Sequence, residues 1–562
     1  MRTYIINTIF LLSFLGYMSC DDYLDRQPLN NPSDGTFLST EVELNMAVAG
    51  CYIGLWSEYQ VFPLHLSFDA VTDIGFERNG SGLQAVGRSD HDARTDYIVQ
   101  VWKNLYSAIS KCNYVVTNMD RGTGNINADV MATARAEVRF LRSLYYHYLI
   151  ELYGDVPLIT SPLSLSDSES PRTPKKDIVD FIIEELEESV PDLPVQNDPE
   201  SGRATQGAAL TLMSRVALYN ERWDVAINAA QRVMALEGEE YIINPSYMDL
   251  FQYAGEDSKE IIFSVQYLEN AKTHSLFRLF GSRLARAHTN KKPTYQLTDT
   301  WECVDGLQID ESPLFDPQNP YENRDPRLGF TLAVSGSTYL GFQYETHGDS
   351  LMCWNYNLDP ARRVPNLEAT HAYATFTGVG WRKYADNLDK DAINNSELNT
   401  IIFRYAEVLL NYAEAKIEAG QIDNTVLEAI NKVRQRESVN MPPITTMDQN
   451  ELRNAVRRER KYEFAGEGLR LFDIRRWRIA EDVMNLPVLG RMKRDYPSKP
   501  PRVDELGTAY YDDIPIAAPG ESADFKMRLV ERRSFDPSRD YLWPIPYIEM
   551  DTNEKMVQNP KY

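Results

Sequence analysis

The chain has 562 residues, 43% apolar and 25% charged, a composition typical of a globular protein large enough for two or more lobes. Its 58 basic and 82 acidic side chains give a formal net charge of −24. A surface this acidic repels phosphate backbones and anionic headgroups, which argues against nucleic acid or lipid headgroups as partners.

The N-terminus has the pattern of an export signal. Arg2 precedes an apolar segment, residues 4–18, which is short for a membrane span and typical of a signal peptide. The segment stops at Ser19-Cys20, a small residue before a cysteine, as in a lipoprotein cleavage site. Tyr17-Met18 depart from the usual small or aliphatic pattern there. We predict removal of residues 1–19 and lipidation of Cys20; ordinary secretion with an incidental cysteine is the alternative.

Strong helical periodicity marks residues 39–56, 97–119, 133–154 and 203–236. Ser39 or Thr40 is the predicted cap of the first helix, and Gly154 is the predicted end of the third. Residues 203–236 predict a helical hairpin that turns at 220–222, and residues 404–420 and 426–436 predict another. Small alanine pairs, a bulky partner and a short turn look like tetratricopeptide-type (TPR-like) units. A generic helical bundle shares the same local pattern.

The pattern changes between residues 240 and 400, where Gly, Pro, Asn and Asp separate short β-like segments such as 260–268 and 329–336. Residues 485–540 are similarly irregular. Loops this long are uncommon inside a folded domain and are often functional. The sequence therefore predicts a helical lobe beside a loop-rich lobe.

No metal or cofactor site is predicted. Cys51, Cys112, Cys303 and Cys353 are scattered singly, without zinc-ligand spacing, and buried free thiols are expected, although an exported protein could form disulfides. Residues 386–397 carry oxygen ligands but lack the calcium-loop pattern.

One segment, RRERKYEFAGEGLRLFDIRRW (457–477), raises the question of catalysis. Glu459, Glu463 and Glu467 are spaced to share one helix face, and a glycosidase needs two close carboxyl groups. One of the two must have a raised pKa, whereas the arginines of this segment would keep all three ionised. We therefore predict a structural ion-pair network, as also for Glu137, Arg139 and Arg142 in the third helix.

Several segments together resemble the SusD/RagB family of outer-membrane lipoproteins, over essentially the whole chain after Cys20. They are AEVRFLRSLYYHYLIELYGDVPLI (136–159), RATQGAALTLMSRVALY (203–219), PTYQLTDTWECVDGL (293–307), NRDPRL (323–328), AINKVRQR (429–436), residues 457–477, and YLWPIPYIEMDTN with QNPKY near the end. The resemblance implies a mostly α fold with four TPR-like helical pairs packed against an irregular lobe with short strands. It divides the chain into residues 1–19, 20–240 and 241–562. The loop-rich ligand lobe would cover about 241–400 and 485–540, and the remaining TPR-like helices about 401–480, all in one compact unit.

The resemblance also implies a cell-surface lipoprotein that covers a SusC-type TonB-dependent transporter, binds glycans or in some relatives peptides, and is not an enzyme. A sugar binder exposes aromatic faces beside polar side chains. In the loop-rich lobe we expect ligand contacts from Trp354, Asn355, Tyr356, Tyr373 and Trp381. From residues 66–80 we expect them from Asp69, Asp73 and Arg78.

Four functions remain open at this stage. They are glycan capture for an uptake complex, peptide capture by the same scaffold, a surface hydrolase, and a pure TPR adaptor. The hydrolase lacks a nucleophile motif and a metal cluster, and the adaptor does not explain the loop-rich lobe. Composition does not separate glycan from peptide.

Overall fold

The computed structural model describes residues 37–60, 62–78, 80–163, 169–196 and 202–562. The predicted signal peptide and Cys20 lie outside these residues. Its α-helices are α1 (Glu41–Tyr52), α2 (Leu64–Ser67), α3 (Gly82–Gly87), α4 (Asp96–Asn118), α5 (Ala128–Tyr153), α6 (Lys175–Ser189), α7 (Gln206–Tyr219), α8 (Trp223–Met234), α9 (Leu276–Phe280), α10 (Arg327–Thr331), α11 (Leu367–Thr370), α12 (Tyr405–Glu418), α13 (Asn424–Arg434), α14 (Gln449–Phe464), α15 (Arg470–Arg476), α16 (Ala480–Val483) and α17 (Tyr547–Thr552).

The strands are short and mostly occur in isolated pairs. They are β1 (Glu58–Tyr59), β2 (Phe62–Pro63), β3 (Gly75–Glu77), β4 (Ile261–Val265), β5 (Lys291–Pro293), β6 (Leu332–Ala333), β7 (Thr338–Tyr339), β8 (Phe342–Gln343), β9 (Met352–Asn355), β10 (Arg362–Pro365), β11 (Gly380–Trp381), β12 (Thr400–Arg404), β13 (Val488–Gly490), β14 (Arg502–Val503), β15 (Ala509–Tyr510) and β16 (Arg528–Glu531).

The ends of the long helices follow local sequence chemistry. Thr40 caps α1 with a capping box, because its hydroxyl accepts the Glu43 N–H and the Glu43 carboxylate accepts the Thr40 N–H in return. α5 ends at Gly154, whose φ of +77° is in the region that favours glycine. Both boundaries confirm the predictions.

The long helices form one layer in which successive elements pack on each other. α4 packs on α5, α5 on α6, α6 on α7, α7 on α8, α8 on α12, and α12 on both α13 and α14. The two predicted hairpins are confirmed as α7–α8 and α12–α13. This layer, against a lobe of short strands and loops, confirms the mostly α fold with paired helices.

The loop-rich lobe contains the largest sheet among the described residues, the antiparallel order β10-β9-β8-β7. The segment 260–268 contains strand β4, as predicted, and β4 pairs with β12. The prediction for 329–336 was wrong in part, because residues 327–331 form helix α10 and only 332–333 are extended.

One large hydrophobic cluster includes buried residues from both sides of the predicted boundary near residue 240, among them Leu212 and Tyr405. The boundary itself stays a prediction. The four cysteines after Cys20 are buried and free, as expected. Within the described ranges, no helix is long and apolar enough to cross a bilayer.

Residues 457–477 differ from the predicted single helix. α14 ends at Phe464 and α15 begins at Arg470, so Glu459 and Glu463 share a helix while Glu467 lies in the loop between. The cause is local: Gly466 and Gly468 have φ of +87° and +82°. A Cβ at Gly468 would also lie 1.9 Å from the carbonyl oxygen of His65, so that position needs glycine.

Candidate functional site: an exposed aromatic strand in the loop-rich lobe

Strand β9 presents an aromatic face to solvent. Its side chains alternate, with Cys353 fully buried and Met352 and Trp354 exposed at 39% and 41%. Tyr356 follows the strand with 48% of its surface exposed, and its N–H donates to the carbonyl oxygen of Gly341 at 2.7 Å. We call Met352, Trp354 and Tyr356 the aromatic strand face. Trp354 therefore lies on a strand anchored by Cys353, rather than in the irregular loop expected from the sequence.

An arginine flanks this face. Arg363 of β10 is directly opposite Trp354 in the antiparallel register. The predicted Asn355 and its partner Arg362 alternate to the other side of the sheet, and the Asn355 amide oxygen accepts the Asn357 N–H at 3.0 Å. Directly opposed residues project from the same side of a sheet, so the Arg363 side chain leaves the sheet on the side of the indole. Its guanidinium donates to the carbonyl oxygen of Met352 at 3.0 Å. An exposed indole next to hydrogen-bond donors suits a ligand with an apolar face and hydroxyl edges.

A second group of predicted residues does come together. The guanidinium of Arg78 donates to the carbonyl oxygen of Tyr373 at 2.8 Å and lies 5.0 Å from the centroid of its ring. The nearby Phe376 ring is approached by Arg78, Lys292 and Arg528. Burial, and then the charge of Arg78, lower the pKa of Lys292 well below its usual range. The exposed Tyr373 is thus held by Arg78, which also contacts the Phe376 ring shared by the other two cations.

Three predicted ligand residues have structural partners instead, and two of them, Asp69 and Trp381, are buried. Asp69 is 2% exposed, and its carboxylate accepts the backbone N–H groups of Gly466, Gly468 and Arg470 at 2.9, 2.9 and 3.1 Å. Asp73 pairs with the guanidinium of Arg470 through two contacts of 2.9 Å. Trp381 is 4% exposed and packs near Phe280 in the core. The structure gives no support for ligand contact by these three residues.

The glutamates of the 457–477 segment belong to a buried network of six cations and six carboxylates, which we call the charge network. Its members are Arg327, Lys383, Arg404, Arg434, Arg436, Arg458, Glu260, Glu302, Asp325, Glu459, Glu463 and Glu467. The predicted ion-pair network is confirmed, but most of its cations come from outside the segment. Arg460, Arg470 and Arg476, expected to serve these glutamates, pair with Asp473, Asp73 and Glu414.

Electrostatics keep the central carboxylate ionised. Burial alone would raise the pKa of Glu463, but Arg436, Arg404 and Arg327 outweigh it and hold that pKa well below its usual range. The same competition, with Arg404 and Lys383 as the cations, lowers the pKa of Glu467. Neither group can serve as a general acid near neutral pH.

The ion pairs predicted in the third helix are also present, with partners on other elements. Glu137 pairs with Arg203 at 2.7 Å, Arg139 with Glu188 at 2.6 Å, and Arg142 with Glu185. These contacts join α5 to α6 and to the segment before α7, which is a structural role.

Carboxyl groups with a raised pKa do occur, which the sequence did not indicate. Burial raises the pKa of Asp69 to about 7, against the opposing effect of its three N–H donors. Its enclosure leaves no room for a substrate. Burial also raises the pKa of Asp389, in the segment 386–397, and its carboxylate accepts a hydrogen bond from the Tyr253 hydroxyl at 2.8 Å. Among the described residues no group of three or more His, Cys, Asp or Glu side chains is placed to hold a metal ion.

Sequence reasoning missed the cationic side of the site. Arg363, Lys292 and Arg528 were not predicted, although Arg363 could have been found by pairing residues 352–355 with 362–365 across the turn at Asn357-Leu358-Asp359-Pro360. Lys292 and Arg528 reach Phe376 only through long-range packing, for which the sequence holds no local signal.

Two family profiles match the chain. The profile of the SusD family matches residues 259–562, and one described as "Starch-binding associating with outer membrane" matches residues 22–218. A SusD-like protein of Formosa agariphila is 26% identical over 85% of this chain and 90% of its own length. The starch-binding protein SusD of Bacteroides thetaiotaomicron is 24% identical over 70% of this chain and 72% of its own length.

Solved structures give the same relationship. A crystal structure described as a SusD-like carbohydrate-binding protein, from Bacteroides fragilis, superposes with a TM-score of 0.79 at 28% identity. It covers 93% of this chain and 100% of its own. A laminarin-binding SusD-like protein superposes with a TM-score of 0.65 at 20% identity, covering 93% and 100%, which supports the fold alone.

Proposed function

The chain belongs to the SusD family, and on that premise we propose that it is a non-catalytic, cell-surface glycan-binding lipoprotein. In this role it captures oligo- or polysaccharide and delivers it to a SusC-type TonB-dependent transporter in the outer membrane. The observation that carries the proposal is the aromatic strand face, an exposed indole and phenol on the same side of the sheet as Arg363. The carbohydrate-binding relative from Bacteroides fragilis supports the choice of ligand class.

The proposed contacts divide by chemistry. Trp354 and Tyr356 supply flat apolar faces for sugar rings, while Arg363 supplies hydrogen bonds to hydroxyl groups. Tyr373, held by Arg78, offers a further exposed ring. The backbone of β9 is fixed by pairing with β8 and β10, so the rings need little ordering when a ligand binds.

The test is calorimetric titration of a glycan panel against wild type and two alanine variants. Trp354→Ala should weaken glycan binding about tenfold or more, because a stacked aromatic contributes on the order of 1–3 kcal/mol. Phe525→Ala is the matched control, since Phe525 is an aromatic residue exposed at 66% and lies outside the aromatic strand face. Equal affinities for all three proteins would reject the aromatic strand face as the binding site.

Peptide capture by the same face is the second candidate, since exposed aromatic rings and arginines also bind extended peptides. The same titration with a peptide library separates the two ligand classes.

A hydrolase remains less well supported, because the close glutamates are ion-paired within the charge network. Release of reducing sugar overnight by wild type, and not by Glu463→Gln, would contradict the non-catalytic proposal. A pure TPR adaptor would bind neither ligand class.

Membrane attachment is proposed through lipid on Cys20. Cys20→Ser should release the protein from the membrane fraction and abolish fatty-acid labelling, because Cys20 is the residue that would carry the acyl chains. Stable anchoring needs more than one such chain. Unchanged retention without labelling would contradict the proposal.

The transporter is proposed to bind the helical lobe and the N-terminal segment over more than about 1,000 Å². Purification in mild detergent should then recover a β-barrel protein; recovery of the lipoprotein alone would indicate an independent binder.

A further inference from the structure

The loop-rich lobe holds a local excess of positive charge. Residues 270–298 contain six lysines and arginines and no acidic residue, although the whole chain has a net charge of −24. Arginines from three separate segments meet around the rings of Tyr373 and Phe376. We call them the arginine patch; its members are Arg78 after β3, Arg283 after α9, and Arg528 in β16.

Two of these arginines are held close together by neutral acceptors. The guanidinium of Arg78 donates to the carbonyl oxygen of Tyr373 at 2.8 Å and to that of His288 at 3.4 Å. Arg283 donates to the same His288 carbonyl oxygen at 3.4 Å and to that of Ala287 at 2.9 Å. Two guanidinium groups thus share one carbonyl oxygen, and carbonyl groups carry no full negative charge that could compensate them.

Carboxylates do not neutralise the patch from the surface. Within the described ranges, no member of the patch has a carboxylate oxygen within ion-pair distance. The carboxylates whose charge reaches this region are Glu77 and Glu368, which are 1% and 3% exposed. Glu77 pairs with Lys291, and Glu368 accepts two hydrogen bonds from residues 282–283. Both carboxylates therefore lie beneath the surface and leave the positive charge of the patch facing solvent.

Arg528 is the member of the patch best placed to contact a ligand. Its guanidinium lies 4.4 Å from the centroid of the Phe376 ring and donates no hydrogen bond within the described part of the chain. The residue is half-buried, yet none of its guanidinium nitrogens is sealed from solvent, so its N–H groups are free to donate. Burial lowers the pKa of Arg528, and no described carboxylate acts against it.

An exposed ring lies within reach of this charge. Tyr373 is 58% exposed, and the Arg78 guanidinium is 5.0 Å from its ring centroid. A ring beside free guanidinium groups suits a sugar that bears a negative substituent, because the ring stacks on the apolar face of the sugar. The oxygens of a carboxylate or sulfate group can then accept parallel N–H groups from a planar guanidinium.

We propose that the glycan captured by this protein is acidic, with sugar units that carry carboxylate or sulfate groups. The inference rests on the proposed glycan-binding function and names its ligand class. Tyr373 stacks on the sugar, Arg528 binds the anionic group, and the charges of Arg78 and Arg283 attract it. Because the chain as a whole repels such a glycan, the patch also supplies the local positive field that lets it approach.

Uronic acid sugars and sulfated sugars offer the same chemistry, and calorimetric titration with matched oligosaccharides separates them. One pair is an oligogalacturonate and its carboxyl-reduced form, and the other is a sulfated galactan oligosaccharide and its desulfated form. The acidic member of one pair should bind about tenfold or more tightly than its neutral partner, because hydrogen bonds to ionised groups are about twice as strong. Preference within the first pair identifies a carboxylate, and within the second a sulfate group.

Arg528→Gln should remove most of this preference and leave the affinity for the neutral partner unchanged. Arg502→Gln is the matched control, because Arg502 also lies on a short strand, over the Tyr510 ring at 4.1 Å, and is outside the patch. Wild type provides a readout that needs no variant. Raising sodium chloride from about 0.01 M to about 0.15 M shortens the screening length from about 30 Å to about 8 Å, so the preference for the acidic member should shrink.

The outcomes distinguish this inference from the function on which it rests. Equal binding of the acidic and neutral members, or binding of neutral glycans alone, overturns the acidic ligand and leaves glycan capture standing. A preference that is the same in Arg528→Gln as in Arg502→Gln, or that does not respond to salt, overturns the role of the patch. Binding of hexaglutamate in place of every glycan overturns both proposals in favour of an acidic peptide, and no binding of any glycan overturns both as well.

Discussion

Replacing Glu463 by glutamine would remove the central carboxylate of the charge network while keeping its shape. One oxygen of Glu463 accepts Arg404 and Arg436 at 2.7 Å each, and the other accepts Arg327 at 3.0 Å. Each arginine keeps another carboxylate: Glu467 for Arg404, Glu260 for Arg436 and Asp325 for Arg327. The variant therefore leaves the network with one uncompensated positive charge, not three isolated ones.

The expected loss of stability follows from that single excess charge. Removing one partner of a buried ion pair destabilises a protein by about 3–5 kcal/mol. The entropy of unfolding for a chain of this length is on the order of 1.1 kcal/mol/K, so the melting temperature should fall by about 3–4 °C. Glycan affinity of the folded variant should stay unchanged, because Glu463 is buried and absent from the aromatic strand face.

Urea unfolding followed by tryptophan fluorescence measures the change. The matched control is Glu187→Gln, which removes a carboxylate that pairs with Arg232 at the surface and should cost less than about 1 kcal/mol. A loss for Glu463→Gln no larger than that of the control would refute the reasoning. It would mean that the neighbouring carboxylates, or water, already compensate the three arginines.

Trp381→Ala should lower the free energy of unfolding, measured in urea, by about 3–5 kcal/mol, because it leaves a cavity in the core. A variant of unchanged stability with weakened glycan binding would instead indicate that Trp381 contacts the ligand. Burial raises the pKa of Glu414, but Arg476 and Arg460 lower it from 4.5 to about 2. Since the folded-state pKa is depressed, this contribution is complete above pH 4.5 and is lost as the pH falls towards 2. The stability gap between wild type and Glu414→Gln, followed through urea midpoints, should therefore narrow below pH 4.5, and a constant gap down to pH 3 would argue otherwise. Asp69→Asn turns one acceptor oxygen into a donor that faces a backbone N–H, so stability should fall by about 1–3 kcal/mol and amide exchange at residues 466–470 should accelerate. Unchanged exchange there would show that the loop stays ordered without its hydrogen bonds to Asp69.

The helical half of the fold could be predicted well from the sequence, but the candidate site only in part. Apolar periodicity and local caps such as Thr40 and Gly154 place helix boundaries within a few residues, because both signals are local. The exposed Trp354 was predicted from its polar surroundings, but its strand was not, since β9 is defined by pairing with β8 and β10. Asp69 and Trp381 were assigned to the surface because nothing near them in sequence reveals the glycine loop and the core that enclose them.

The contact between Asp69 and the loop at 466–470 joins positions about 400 residues apart along the chain. Closing so long a loop is entropically expensive and comes late, after local helices have formed. Synthesis from the N-terminus produces the Asp69 carboxylate long before its three N–H donors. The hydrogen bonds of Asp69 therefore cannot form until residues 466–470 have been synthesised, when more than four fifths of the chain exists. The glycine loop is thus fixed only near the end of chain growth, whatever the helices formed earlier have already packed.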